Sequence, residues 1–158
     1  KYRLRRMQEE RISADVSQQI AIAFVPPTST TPRLIDQMIY EGKILYFVNA
    51  MQPLIMDTVL FNYSPNQMNW CQTNEAKVWA FMMESDFLFE TKVPILKKFL
   101  EDGPFTSLFN KQSPARIGAY IGYQIVLNYM KENNVTLEEM LMEEDYQLIL
   151  QQSGYHPE

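Results

Sequence analysis

The stretch TPRLIDQMIYEGKILYFVNAMQP, Thr31 to Pro53, constrains the fold more than any other part of the chain, because both ends of a helix are written into it. Thr31 can cap the first free amides, Pro32 suits the first helical position because its missing N–H would be unpaired there anyway, and Pro53 stops the run. At 100° per residue Leu34, Met38, Leu45 and Val48 fall on one side, with Ile35, Ile39 and Tyr46 beside them. Tyr40, Ile44, Phe47 and Met51 fall on the far side, which leaves a thin polar strip at Asp36 and Lys43. A helix apolar nearly all round is a buried one. Inside its apolar side, between Val48 and Leu34, sits the carboxylate of Glu41.

A buried central helix needs neighbours. The 158 residues suffice for one domain that buries most of the surface its unfolded form exposes. No apolar run approaches the roughly 20 residues of a membrane-spanning helix. A net charge of −5 disfavours nucleic acid as a partner, and the basic start Lys1, Arg3, Arg5 and Arg6 reads as a solvated end. The single Cys71 makes no internal disulfide, and the single His156 lies in the C-terminal tail, so neither a His/Cys zinc site nor any other cofactor site is expected. The start at Lys1, with no Met and no signal sequence, suggests a fragment or a processed product.

Helical spacing recurs along the whole chain. Ile12, Val16, Ile20 and Ala23 predict an amphipathic helix from about Met7 to Phe24, ended by Pro26 and Pro27. Leu54 to Tyr63 has no clear period, which suits a loop or a short helical turn, and is read as a loop. Ser64, Pro65 and Gln67 form a capping-box start for a helix to about Glu84, with a buried stripe of Met68, Cys71, Val78, Trp79, Met82 and Met83. Glu75 projects inside that stripe as Glu41 does in the preceding helix. A shorter helix spans Lys92 to Leu100, followed by Gly103 and the loop GPFTSLFNKQ. Ser113 and Pro114 start PARIGAYIGYQIVLNYMK, closed by Asn133 and Asn134. Ala115, Gly118, Ala119 and Gly122 share one face of it, and since glycine costs about 1 kcal/mol in a helix interior, they imply a tightly packed neighbour. Thr136 with Glu139 caps a last helix running, with a break, to about Gln152, and its acidic run is a solvated face. Nothing alternates over a strand length, so the expected fold is all-α: a single domain, 1–158, of about six helices.

The chain has no Gly-rich phosphate loop, nucleophile elbow or cysteine cluster. Three ionisable residues stand out, Glu41, Glu75 and Arg116, each mid-element on a helix that should be largely buried. Buried charges persist when paired, so the three are expected to meet as an internal ion-pair cluster. Two other readings stay open: partial exposure at a seam between helices, and an acid/base pair of carboxylates. The aromatics Tyr40, Tyr46, Trp70, Trp79, Tyr120 and Tyr123 read as core filling, with an aromatic ligand groove as the alternative.

Taken together, MIYEGKILYFVNAMQP, WCQTNEAKVWAF, GPFTSLFNKQSPARIGAYIGYQIVLNYM and the closing SGYHP resemble, in order and spacing, the C-terminal part of the GldB family of gliding-motility-associated lipoproteins of Bacteroidetes-type bacteria. The resemblance runs from about Tyr2 to Pro157. It implies an outer-membrane lipoprotein of the cell envelope, facing the periplasm or the cell surface, whose signal, lipidated cysteine and first segment precede these residues. Cys71, inside a helix, is not that cysteine. The helical pattern is also distantly similar to zincin-type metallopeptidases. YEGKI, Tyr40 to Ile44, stands in the place of HExxH, and Asn74 with Glu75 in the place of the second motif. Both histidines are missing, so the comparison implies a pseudoenzyme scaffold with Lys43 and Arg116 as cationic replacements for the metal charge.

The function this implies is a non-catalytic domain of an envelope lipoprotein. Its expected partners are envelope proteins, it meets the membrane only through the lipid anchor, and it binds no nucleic acid. Two alternatives accompany that expectation: a hydrolase using Glu41 and Glu75, and a helical module binding a peptide or glycan.

Overall fold

A computed structural model describes residues 11–109 and 112–158. Among them the fold is all-α: α1 Ile12–Phe24, α2 Leu34–Met51, α3 Asp57–Leu60, α4 Pro65–Glu84, a 3-10 turn Phe87–Phe89, α5 Val93–Leu100, α6 Ile117–Glu132, α7 Leu137–Met142 and α8 Tyr146–Ser153. The basic cluster Lys1 to Arg6 and the expected first turn of α1 from Met7 lie outside the described residues. No helix among those described is long and apolar enough to cross a membrane.

The fold is built on the crossing of α2 and α6, which share the largest interface. Two glycines make that crossing close. A Cβ at Gly122 would overlap the Met38 backbone carbonyl, and one at Gly42 would overlap the Gly122 carbonyl. Gly118 lies 3.0 Å from Leu100 and 3.3 Å from Met38 by the same construction. The small-residue face of α6 is thus a tight packing face, and its partner glycine is the one in YEGKI. Leu34, Ile35, Met38, Ile39, Leu45 and Val48 of α2 are buried against Ile117, Tyr120, Ile121, Ile125 and Val126 of α6. α8 packs on both, α5 on α6, and α1 on α2 through Ala14 and Ala21.

Local signals set several helix ends. Ser64 accepts from the Gln67 amide at 3.2 Å, and Thr136 accepts from the Glu139 amide at 3.2 Å, as capping boxes do. Pro65 opens α4, Asn133 ends α6, and Gly154, at φ 56°, stops α8 in the left-handed conformation that costs glycine least.

Several expectations need correction. α2 starts at Leu34 rather than at Pro32. Arg33 is its cap residue, its amide donating to Asp36 Oδ2 at 2.9 Å, while the Leu34 amide donates to the Glu90 carbonyl at 2.9 Å. A tertiary acceptor has replaced the local one at Thr31. α6 starts at Ile117, three residues after Pro114, because Arg116 is left-handed (φ 59°, ψ 31°) and cannot continue a helix backwards. Part of the segment read as a loop forms the short α3, closed by left-handed Asn62 (φ 57°). Met83 is exposed although its neighbour Met82 is buried.

α1 is amphipathic as expected, and it turns its large apolar residues outward. Ile12, Val16, Ile20 and Phe24 are exposed, at 63, 54, 45 and 62 %, and Ala14 and Ala21 are buried instead. Small residues let α1 approach α2 closely, and its large apolar residues point outward.

Lys43 was read as part of a polar strip, yet it is completely buried. Its ammonium donates to the carbonyls of Leu141, at 3.4 Å, and Glu143, and stands 4.9 Å from the Tyr146 ring centre. These carbonyls end α7, so a lysine from α2 satisfies groups that the break before α8 would leave unpaired.

Candidate functional site

Arg116 and Glu41 are brought together by the α2–α6 crossing. The loop before α6 is pinned at consecutive carbonyls: Thr106 Oγ1 donates to Pro114 O at 2.7 Å, and Tyr63 OH donates to Ala115 O at 2.8 Å. The Arg116 carbonyl then accepts from the Ala119 amide at 3.0 Å, the first bond of α6. This over-determined loop sustains a left-handed arginine, a conformation that costs on the order of 1 to 3 kcal/mol. Arg116 Nη2 donates to Glu41 Oε2 at 2.9 Å, with the side chains 17 and 26 % exposed.

Glu75 is held otherwise. Tyr120 OH on α6 donates to its Oε2 at 2.8 Å, and Tyr155 OH donates to its Oε1 at 2.8 Å. Tyr155 follows Gly154 in the C-terminal tail, where its ring stands edge-on to Trp79 at 5.0 Å between centroids. Burial and the neighbouring Glu75 charge push both phenols well above the ordinary tyrosine value, so they remain donors. Burial, and then Glu75, also push the Cys71 thiol up, which keeps it protonated and unreactive.

The cluster expected from sequence therefore divides. Arg116 pairs with Glu41, while Glu75 is met by two tyrosine hydroxyls, and all three residues are half-buried at a seam rather than sealed in the interior. Asn74 bonds its own helix, donating to Trp70 O at 2.8 Å, and Lys43 is committed to the end of α7. Tyr40 stands beside Glu41, and burial with the Glu41 charge raises its phenol. Trp79, Tyr120 and Tyr123 are buried, whereas Tyr40, Tyr46 and Trp70 are half-buried. Among the described residues no three His, Cys, Asp or Glu side chains are grouped so as to hold a metal ion.

The Glu41–Arg116 pair opens onto a cleft of about 640 Å³ between α1, α2 and the start of α6. Arg11, Asp15, Tyr40 and Ile44 also line it. Arg11 is 5 % exposed; it donates to Asp15 Oδ1 at 2.7 Å and to the Val59 carbonyl. Arg11, Tyr155 and Gly42 were not singled out from sequence. A glycine in the middle of an otherwise apolar helix, and a tyrosine directly after a helix-ending glycine, were the available signals.

A family model described as gliding motility protein GldB matches residues 1–157, and the chain belongs to that family. Membership points to a gliding-motility-associated lipoprotein of the cell envelope. No curated protein and no solved structure matches the chain, so the zincin comparison rests on motif positions alone.

Proposed function

We propose that this GldB-family chain is a non-catalytic contact domain of an outer-membrane lipoprotein, tethered by a lipid anchor and acting by binding other protein components of the envelope. The observation that carries the reading is the outward apolar face of α1. Ile20 and Phe24 are exposed there, and the α2–α3 link adds Leu54, 97 % exposed, and Met56. The two are connected: Ser13 Oγ donates to Gln52 Oε1 at 3.0 Å, and Gln52 Nε2 donates to Ser17 Oγ at 2.8 Å. Exposed large apolar side chains on neighbouring elements are what a partner covers. The engagement of Glu41 and Glu75 by internal donors supports the non-catalytic half, because each carboxylate braces one element against another.

The test is co-isolation from native envelopes after cross-linking, using the full-length lipoprotein. Replacing both Ile20 and Phe24 by Arg adds charge at exposed positions and leaves the core untouched. The parent should retain a reproducible partner set that the variant loses. An identical set from both would sink the reading.

A further inference from the structure

The cleft beside the Glu41–Arg116 pair has a lining that selects among ligand classes. Among the described residues its charges are already matched, Arg11 with Asp15 at 2.7 Å and Arg116 with Glu41 at 2.9 Å. A ligand carrying a net charge would have to compete with one of these pairs, at the cost of leaving the displaced member partly buried and alone. Hydrogen-bonding groups without charge remain: the amides of Gln18 and Gln19 and the phenol of Tyr40 line the same cleft. Neutral carbonyl and amide groups are the partners that would satisfy these without displacing either pair.

The apolar part of the lining is aliphatic and branched: Ile12, Val16, Ile22 and Ile44. Sugars are commonly recognised by stacking on aromatic faces, and among the described residues Tyr40 is the one aromatic in this lining. Branched aliphatic walls instead take aliphatic side chains. A volume of about 640 Å³ falls within the range of built ligand sites, roughly 300 to 1,000 Å³.

We propose that this cleft binds an extended, uncharged segment of a protein partner. Its backbone amides are met by Gln18, Gln19 and Tyr40, and its aliphatic side chains by Ile12, Val16, Ile22 and Ile44. The proposal rests on the contact-domain reading and names one of its binding sites. Only the α1 side of the cleft is exposed enough to be altered without touching the core, and Ile22, at 45 % exposure, is the position of choice.

The experiment is a selection of displayed random decapeptides on the purified chain, followed by titration of the winning peptides. Selected sequences should be uncharged and aliphatic-rich over at least part of their length. Ile22→Arg should weaken their binding by about tenfold or more. Phe24→Arg, two residues away on the same helix but outside the cleft, should leave it within about twofold. Thermal melts of both variants verify that they are folded. Three results would overturn the proposal: no enrichment, enrichment of strongly charged peptides, or equal binding by Ile22→Arg and the parent. Displacement of the selected peptides by a chitin trisaccharide would reassign the cleft to sugars and overturn it too. The two readings fail separately. Loss of envelope partners on Ile20→Arg with Phe24→Arg, without any peptide enrichment, removes the cleft assignment alone. An unchanged partner set removes the contact-domain reading whatever the peptides do.

Discussion

At the residue scale, the charges of this chain are explained by what each one meets. Lys43 is the extreme case. Burial lowers its pKa from 10.5 to about 8, against the opposing pull of Glu143 and Glu144. Because the folded value lies below the unfolded one, the unfolded chain holds the extra proton between pH 8 and 10.5, and stability rises with pH across that window. Relative to Lys43→Met, the parent should therefore gain on the order of 2 to 3 kcal/mol from pH 8 to 10, read from urea melts at each pH. Tyrosine ionisation is common to both proteins and cancels. A difference flat with pH would mean that Lys43 keeps the same pKa folded and unfolded, as a solvated ammonium does. For Arg116 the prediction concerns its partner. Arg116→Met and Glu41→Gln should couple by about 1 to 2 kcal/mol in a double-mutant cycle, whereas Arg116→Met and Glu75→Gln should add within about 0.5 kcal/mol. Strong coupling to Glu75 would restore the three-residue cluster that the sequence suggested. The sequence marked Glu41, Glu75 and Arg116 as unusual because each interrupts an apolar stripe, which is a local property. It could not assign partners, since Tyr155 stands 80 residues from Glu75 and Arg116 stands 75 from Glu41.

At the scale of elements, the α2–α6 crossing is the feature most open to test. A methyl group at Gly122 meets a backbone carbonyl that no rotamer change can move, while at Gly118 two of the three nearest atoms belong to the side chains of Leu100 and Met38. Gly122→Ala should cost about 3 kcal/mol or more, and Gly118→Ala clearly less, by urea denaturation. Overlaid melts of Gly122→Ala and the parent would show that the helices are further apart than described. Elements defined by their own sequence were legible: the capping boxes at Ser64 and Thr136, the proline at the start of α4, and a break, though not its place, in the last helical stretch. Ends set by tertiary acceptors were not, as at Leu34, whose amide is taken by Glu90. The orientation of α1 was not legible either. The amphipathic pattern shows which side is apolar, and the usual inference sends that side to the core, but here alanines pack inward and the large residues face out.

At the scale of the whole molecule, α2 and α6 form a rigid centre whose internal carboxylates act as braces, and α1 presents an apolar exterior with a cleft at its edge. Each carboxylate ties separate parts of the chain: Glu41 joins α2 to the start of α6, and Glu75 joins α4 to α6 and to the C-terminal tail. If these are braces, removing the charge of Glu75, which does not line the cleft, should lower stability without altering what the protein binds. The most direct measurement uses the full-length lipoprotein carrying Glu75→Gln, compared with the parent for melting temperature and for envelope partners co-isolated below the melting transition. The account predicts a melting temperature lower by several degrees, corresponding to about 1 to 3 kcal/mol, with an unchanged partner set. An unchanged melting temperature together with loss of the partners would show that this carboxylate serves function rather than structure, and would contradict it.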